Sequence, residues 1–229
     1  MDLIEEHNLF IKSVLGKKLE EAKKLNLGCG SDYREGWINA DLSEWIKKDV
    51  TLDLRNMPLP FEDNSFDYIF SSHTLEHISG SLTPLMIELW RILKPKGVLE
   101  IRVPYFSHYS ALTGFEHKHV FSINGFNVFM DTSYYKHIPG FPKFQRPLFK
   151  KIKGVLKHQR TDNGSIMLVK KNAYYYLADF ISKLANLNTN FCEKIWCHWV
   201  GGFQEMQIIM QKIPQNIKLE KNYFKKIIS

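Results

Sequence analysis

Cysteine is scarce. Cys29, Cys192 and Cys197 make an odd count in 229 residues, which argues against a disulfide framework and for a reducing compartment. Cys192 and Cys197 are followed by His198, but two thiols and one imidazole at that spacing do not make a zinc site; ordinary buried thiols are expected. No apolar run approaches the length of a membrane span. The opening Met1-Asp-Leu-Ile-Glu-Glu carries acids early and lacks an apolar h-region, so no secretory signal is expected, and a cytoplasmic location is. Internal repeats and low-complexity linkers are also missing. Acids are absent from Thr132 to Thr161, where Lys136, Lys143, Arg146, Lys150, Lys151, Lys153, Lys157 and Arg160 all fall. The formal net charge of +7 is therefore gathered in one stretch, and that surface is expected to attract anions.

What is present fits one globular domain spanning 1–229. A hydrophobic content of 44% with 14% aromatics is enough for a sizeable core and is foreign to disordered chains. The stretch that organises the chain is Lys24-Leu-Asn-Leu-Gly-Cys-Gly30, a short apolar strand that runs into Gly-x-Gly. Gly28 and Gly30 allow a sharp turn and bring bare peptide N–H groups toward a ligand at the carboxyl end of a strand. A dinucleotide fingerprint needs a third glycine three residues on and an acid about 20 residues further along. Tyr33 holds the glycine position and Asp41 comes early, so a nicotinamide cofactor is disfavoured.

The spacing predicts an amphipathic helix over 3–22, packed on the sheet edge or capping the pocket, with Ile4, Ile11, Leu15 and Leu19 on one face. Strands follow at 24–28, 37–40, 50–52 and 66–70. Between the first two, Ser31-Asp-Tyr-Arg-Glu-Gly-Trp37 is too short for several helical turns, so a loop or single turn is expected there. Thr83-Pro84 opens a helix, as N-cap and first position, and Val98 to Val103 is a fifth strand. Beyond Pro104 the expectations are a helix from Ser122, a strand or helix through Phe149–Leu156, a turn at Asp162-Asn-Gly164, a strand at 165–170, a helix at 174–187 and a last strand within 203–213.

The run from Lys24 to Pro104 resembles the class I S-adenosylmethionine (SAM) dependent methyltransferases. The motifs are Leu25-Asn-Leu-Gly-Cys-Gly30, Asn39-Ala-Asp-Leu42, Asp53-Leu54, Leu59-Pro-Phe-Glu-Asp-Asn-Ser-Phe-Asp-Tyr-Ile-Phe70, His73-Thr-Leu-Glu-His-Ile78 and Leu93-Lys-Pro-Lys-Gly97. They stand in the family's order, closest to the branch with the ubiquinone- and menaquinone-type methyltransferases. The resemblance implies an α/β, Rossmann-like fold with a mainly parallel seven-stranded sheet, an antiparallel last strand and helices on both faces. It implies a cofactor-binding core at 24–104 and substrate-side insertions and helices at 105–200. SAM contacts are implied at Asn26, Gly28, Cys29, Gly30, Asp41, Asp53, Leu54, Ser72 and His73. Within that set Asp41 takes the ribose hydroxyls, and Asp53 with the Leu54 N–H takes the adenine.

Arg34 is a bidentate candidate for the methionine carboxylate in place of the missing helix N-terminus. His73, at the end of strand four, and His108 are the catalytic candidates, since an imidazole near neutral pKa can remove a proton as methyl leaves sulfur. His77 is read as pocket support. His108, His117 and His119 invite a metal, but no carboxylate or cysteine completes them at a recognisable spacing, and no metal is assigned. The acceptor is expected to be a small molecule, lipid or glycan, methylated at oxygen or nitrogen. The alternatives are a nucleic-acid methyltransferase or a peripheral membrane protein that uses an anionic surface (RNA or membrane) at 136–160, or a non-catalytic module that keeps the fold.

Overall fold

The computed structural model describes residues 3–131, 133, 147–157, 173–198 and 203–215. Seven strands form one sheet: β1 (Lys24–Leu27), β2 (Ile38–Asp41), β3 (Val50–Thr51), β4 (Phe66–Ser72), β5 (Leu93–Pro104), β6 (Phe149–Lys157) and β7 (Glu205–Lys212). Their order is β3-β2-β1-β4-β5-β7-β6. The first five pair in parallel, and β7 lies antiparallel between β5 and β6. This is the mixed α/β sheet expected, with the reversed last strand inserted. The expected turn at 162–164 and strand at 165–170 lie outside the described residues.

The two faces differ in what covers them. Leu25, Leu27, Ile69, Leu99, Ile101 and Ile208 pack with α2 (Thr83–Ile92), whose Leu85, Met86 and Leu89 are buried. Tyr68, Phe70, Val98 and Ile209 face the other way and enclose Ile11 of α1 (Leu3–Leu15). Fully burying an isoleucine contributes about 1.5–3 kcal/mol, so Ile11 fastens α1 across the sheet face rather than along its edge. The helix is shorter than the periodicity predicts. Gly16, at φ +71°, closes it by donating to the Lys12 carbonyl at 2.9 Å, and a separate turn of 3-10 helix covers Leu19–Glu21. α2 starts at Thr83 with Leu82 as its cap, so Thr83 is the first helical residue instead of the N-cap.

No helix forms between β1 and β2. Trp37 and Arg34 cover that part of the sheet instead: the Trp37 ring lies 5.2 Å from Tyr68 and 6.5 Å from Phe70, and the Arg34 guanidinium sits 3.8 Å over Phe70. A flat cation on an aromatic face does in one side chain part of what a packing helix would do. Past β5 come a short α3 (Ser110–Thr113), a 3-10 helix over Asn124–Phe129 where a helix from Ser122 was expected, α4 (Ala173–Leu187) and α5 (Thr189–Lys194). Among the described residues β6 is the outermost strand, and its Lys150, Lys151 and Lys153 are exposed.

Candidate active site at the carboxyl ends of the strands

The loop after β1 extends the β1–β2 pairing. Gly28 and Cys29 both donate to the Ala40 carbonyl, at 2.8 and 3.1 Å. Gly28 has φ +68°, and a Cβ there would lie 2.2 Å from Thr74 Cγ2 and Oγ1. Thr74 is held by its hydroxyl, 3.1 to 3.4 Å from the carbonyls of Ser72, Gly28 and Leu27. Gly30 has φ +51°, but a Cβ there would meet nothing within 4 Å. The loop thus packs tightly on one side and opens on the other.

Asp41 ends β2 beside that opening. Its Oδ2 accepts the Gly30 N–H at 2.9 Å and its Oδ1 the Ser43 N–H at 2.8 Å, which leaves a lone pair on each oxygen. Asp53 lies beyond β3, gripped by the Arg55 fork at 2.8–3.2 Å, and that hydrogen bonding holds its carboxyl below the usual range. The following Leu54 N–H has no acceptor among the described residues. Asn26 is buried and bonds the Asp32 carbonyl and Asn39 Oδ1, at 2.6 and 3.1 Å, so its side chain shapes the loop from beneath. Cys29 is buried too; burial, then the charge of Asp41, pushes its thiol up to about 11, and it is neutral at physiological pH. Arg34 does not reach out for a ligand: its Nε and Nη2 both hold Asp32 Oδ2 at 2.9 Å.

At the end of β4 the half-buried Ser72 leads to His73, which adopts φ +50°. His73 Nε2 lies 3.1 Å from Glu205 Oε2 and Nδ1 lies 3.3 Å from Glu76 Oε1. Burial disfavours the charged ring, but the two carboxylates outweigh it and push the pKa up to about 9. The ring expected to be a free base at neutral pH thus lies between two carboxylates that favour its protonated form. Sequence reasoning missed Glu205 because it sits 132 positions downstream; the local sign is an acid and Gln207 placed ahead of the apolar Ile208-Ile-Met210. Glu205 also pairs with Lys157 at 3.2 Å.

Of the later histidines, His108 Nδ1 accepts the Ser110 N–H at 3.2 Å and lies 2.7 Å from its hydroxyl, which leaves the proton of the neutral ring on Nε2. Burial pulls its pKa down. His108, His117 and His119 do not converge as a trio. His117 instead joins Glu76 and His77. The strand-end roof made by 105–109 is tied by the Phe106 N–H to the Phe121 carbonyl at 3.0 Å. Beneath it lies a mainly apolar cavity of 260 Å³ lined by Leu75, Met86, Phe106, Phe121, Phe126 and Phe129, among others. A larger open groove of 610 Å³ between α1 and Lys18–Glu20 precedes β1 and is remote from these groups.

Residues 25–101 match the model of a family described as a methyltransferase domain. Three solved structures are similar over most of both chains. A SAM-dependent methyltransferase from Archaeoglobus fulgidus has 18% identity and a TM-score of 0.53, covering 91% of this chain and 94% of its own. One from Mesorhizobium loti has 13% identity and a TM-score of 0.52 over 89% and 96%. The geranyl diphosphate C-methyltransferase of Streptomyces coelicolor, solved with Mg2+, geranyl diphosphate and S-adenosyl-L-homocysteine, has 14% identity and a TM-score of 0.53 over 92% and 81%. No protein of curated function matches the sequence. Among the described residues no helix is long and apolar enough to cross a membrane.

Proposed function

We propose that the chain, whose residues 25–101 match the methyltransferase-domain model, is a class I SAM-dependent methyltransferase that transfers the methyl group to oxygen or nitrogen of a small-molecule, lipid or glycan acceptor. One observation carries the cofactor side: the glycine loop opens at Gly30 directly beside a carboxylate, Asp41, with spare lone pairs. The two oxygens of Asp41 suit a ribose cis-diol. Asp53 and the Leu54 N–H offer an acceptor and a donor for the adenine edge. Gly28, Asn26, Cys29 and Ser72 set the shape of the cradle. When bound, the cofactor supplies a methyl already activated on a positive sulfur.

The protein's own share is positioning and exclusion of water, worth on the order of 7–11 kcal/mol when reacting atoms are held in contact. A base is needed only where the acceptor must lose a proton. His73 is charged and so acts as a fixed cation and a brace for the strand end. His108, neutral and with its proton on Nε2, is the candidate that faces the acceptor as a hydrogen-bond donor. We assign the cofactor half of the site to residues 24–104 and the acceptor half to the described residues between 105 and 198. The apolar cavity beneath Phe106 and Phe121 favours an acceptor with an apolar portion. Of the basic residues on which an anionic partner would rest, Lys136, Lys143, Arg146 and Arg160 lie outside the described residues, Lys157 turns inward to Glu205 and Lys153 covers the Phe10 ring at 5.0 Å.

Calorimetric titration with SAM, S-adenosylhomocysteine and NAD tests the cofactor, and a methyl-release assay over hydroxyl and amine acceptors with apolar tails tests the rest. Binding of the two adenosyl-sulfur ligands alone is expected. Binding of NAD, or of none of the three, would overturn the reading.

A further inference from the structure

Glu76, His77 and His117 each place one donor atom within 4.8 Å of the other two. Glu76 is 1% exposed, and among the described residues neither of its carboxylate oxygens has a hydrogen-bond partner of good geometry. Beside Oε1 lies the His73 ring, with Nδ1 at 3.3 Å. A buried carboxylate without hydrogen bonds is costly and demands an explanation; a carboxylate with two oxygens can serve His73 and a second cation together.

The surroundings are built around the His117 ring. Its Nδ1 faces the Ala111 carbonyl at 3.3 Å, the arrangement that fixes the proton on Nδ1 and leaves the Nε2 lone pair for a ligand. The Lys118 and His119 N–H groups both meet the Glu76 carbonyl, at 2.6 and 3.3 Å, and the His117 N–H donates to Gly114 at 2.9 Å. Gly114 has φ −74°, open to any residue. A Cβ on it, however, would lie 2.8–2.9 Å from Cδ2, Cγ and Nε2 of His117. The glycine is accounted for by the ring, not by the backbone. His77, exposed, packs edge-on against His117 with ring centres 4.9 Å apart.

We propose that Glu76, His77 and His117 bind a divalent transition-metal ion of the zinc class. Three atoms no more than 4.8 Å apart lie within about 2.8 Å of a shared centre, so metal–ligand distances of about 2.0–2.2 Å require each to move inward by roughly 0.7 Å at most. Two imidazoles and one carboxylate suit zinc and its first-row neighbours, whereas magnesium and calcium prefer all-oxygen sets. Three protein ligands leave a further position for water or an oxygen of a bound molecule. The site stands without the methyl-transfer reading.

The test is calorimetric titration of chelator-treated full-length protein with ZnCl2, with cobalt(II) visible absorption as a report on nitrogen and oxygen ligation. Wild type is expected to bind at a single site. His77→Ala, exposed and therefore safe for folding, and His117→Ala should each weaken binding at least ~10-fold. Gly114→Ala, whose Cβ would push the His117 ring aside, should weaken it by about 10–100-fold, the range for disturbing a ligand's orientation, with an unchanged far-UV spectrum. His108→Ala should match wild type. Absence of single-site binding in wild type, or equal affinity in the His77→Ala and His117→Ala proteins, would overturn the proposal. SAM titration of the same samples is a separate readout, so a failure of the cofactor reading remains distinguishable.

Discussion

Replacing Asp41 with asparagine keeps the shape of the side chain and exchanges one oxygen for an NH2. In the structure both oxygens are used by the loop, Oδ1 for the Ser43 N–H and Oδ2 for the Gly30 N–H. Whichever way the amide turns, its NH2 meets a backbone N–H, so one bond is lost and two donors face each other. Asp41 is only half-buried, so water relieves part of this, and the cost lies at the lower end of the range for an unmet donor, about 1–2 kcal/mol. For a chain of this size that is a fall in Tm of about 2–8 °C. The second effect is on the ligand. Charge-assisted hydrogen bonds exceed neutral ones by roughly 1–1.5 kcal/mol each, so two ribose hydroxyls lose about 2–3 kcal/mol, a weakening of SAM binding of about 30- to 150-fold. Calorimetry with SAM, at a temperature where both proteins are folded, reads the second effect, and thermal unfolding reads the first. A lowered Tm with SAM affinity within ~3-fold of wild type would mean that Asp41 only shapes the loop. An unchanged Tm would mean that the loop bonds are not made.

Glu100→Gln should cost about 3–5 kcal/mol, because it leaves Arg102 buried without its nearest counter-charge. Burial opposes the Glu100 charge, but Arg102, His7 and Tyr68 hold its pKa well below the ordinary value; its stabilisation is complete above the unfolded pKa near ~4.3 and lost as pH falls. Urea unfolding between pH 6 and 3 should then show a shallower acid loss in the variant, and an identical slope would refute the assignment. Arg34→Lys should lose both the fork to Asp32 and the stack on Phe70, lowering stability by about 1–2 kcal/mol. If SAM affinity instead fell about tenfold with Tm unchanged, Arg34 would belong to the cofactor carboxylate.

Local chemistry was readable where it depends on neighbours in the chain. Gly28 and Gly30 both adopt the positive φ expected of a Gly-x-Gly turn, and the short run 31–37 left no room for a helix. The order of apolar strands pointed to a mainly parallel sheet, whereas the charged face that Glu100 and Arg102 give β5 emerges only in the structure. What could not be read depends on contacts between distant segments. His73 looks like a free base until β7 brings Glu205 against it. Arg34 looks available until Phe70 lies under its guanidinium. His117 lacks a carboxylate only while Glu76 is counted as part of a different motif. Side-chain period says which residues share a face, but not which face of a distant element meets them.

The charged residues of the α1 face follow one rule. His7 and Arg102 meet Glu100 at 2.7–2.9 Å, Arg102 also attracts Glu205, Glu205 holds His73, and His73 reaches Glu76. Read from β5 toward the carboxyl edge, the signs alternate: Glu100, Arg102, Glu205, His73, Glu76. Glu100 adds the Tyr68 hydroxyl and Gln207 amide at 2.7 and 2.8 Å. Each charge buried alone would cost several kcal/mol, and alternation is what makes the row tolerable. The row has two ends with different fates. At Glu100 the carboxylate is saturated with donors, which fits a structural anchor for α1 and the sheet. At Glu76 the last carboxylate has one cation beside it and no hydrogen bond. The unmet demand therefore falls at the end of the row that emerges among His77 and His117. A cation there completes the alternation, and this is the physical reason to look for a metal at the histidines rather than at the lysines of β6.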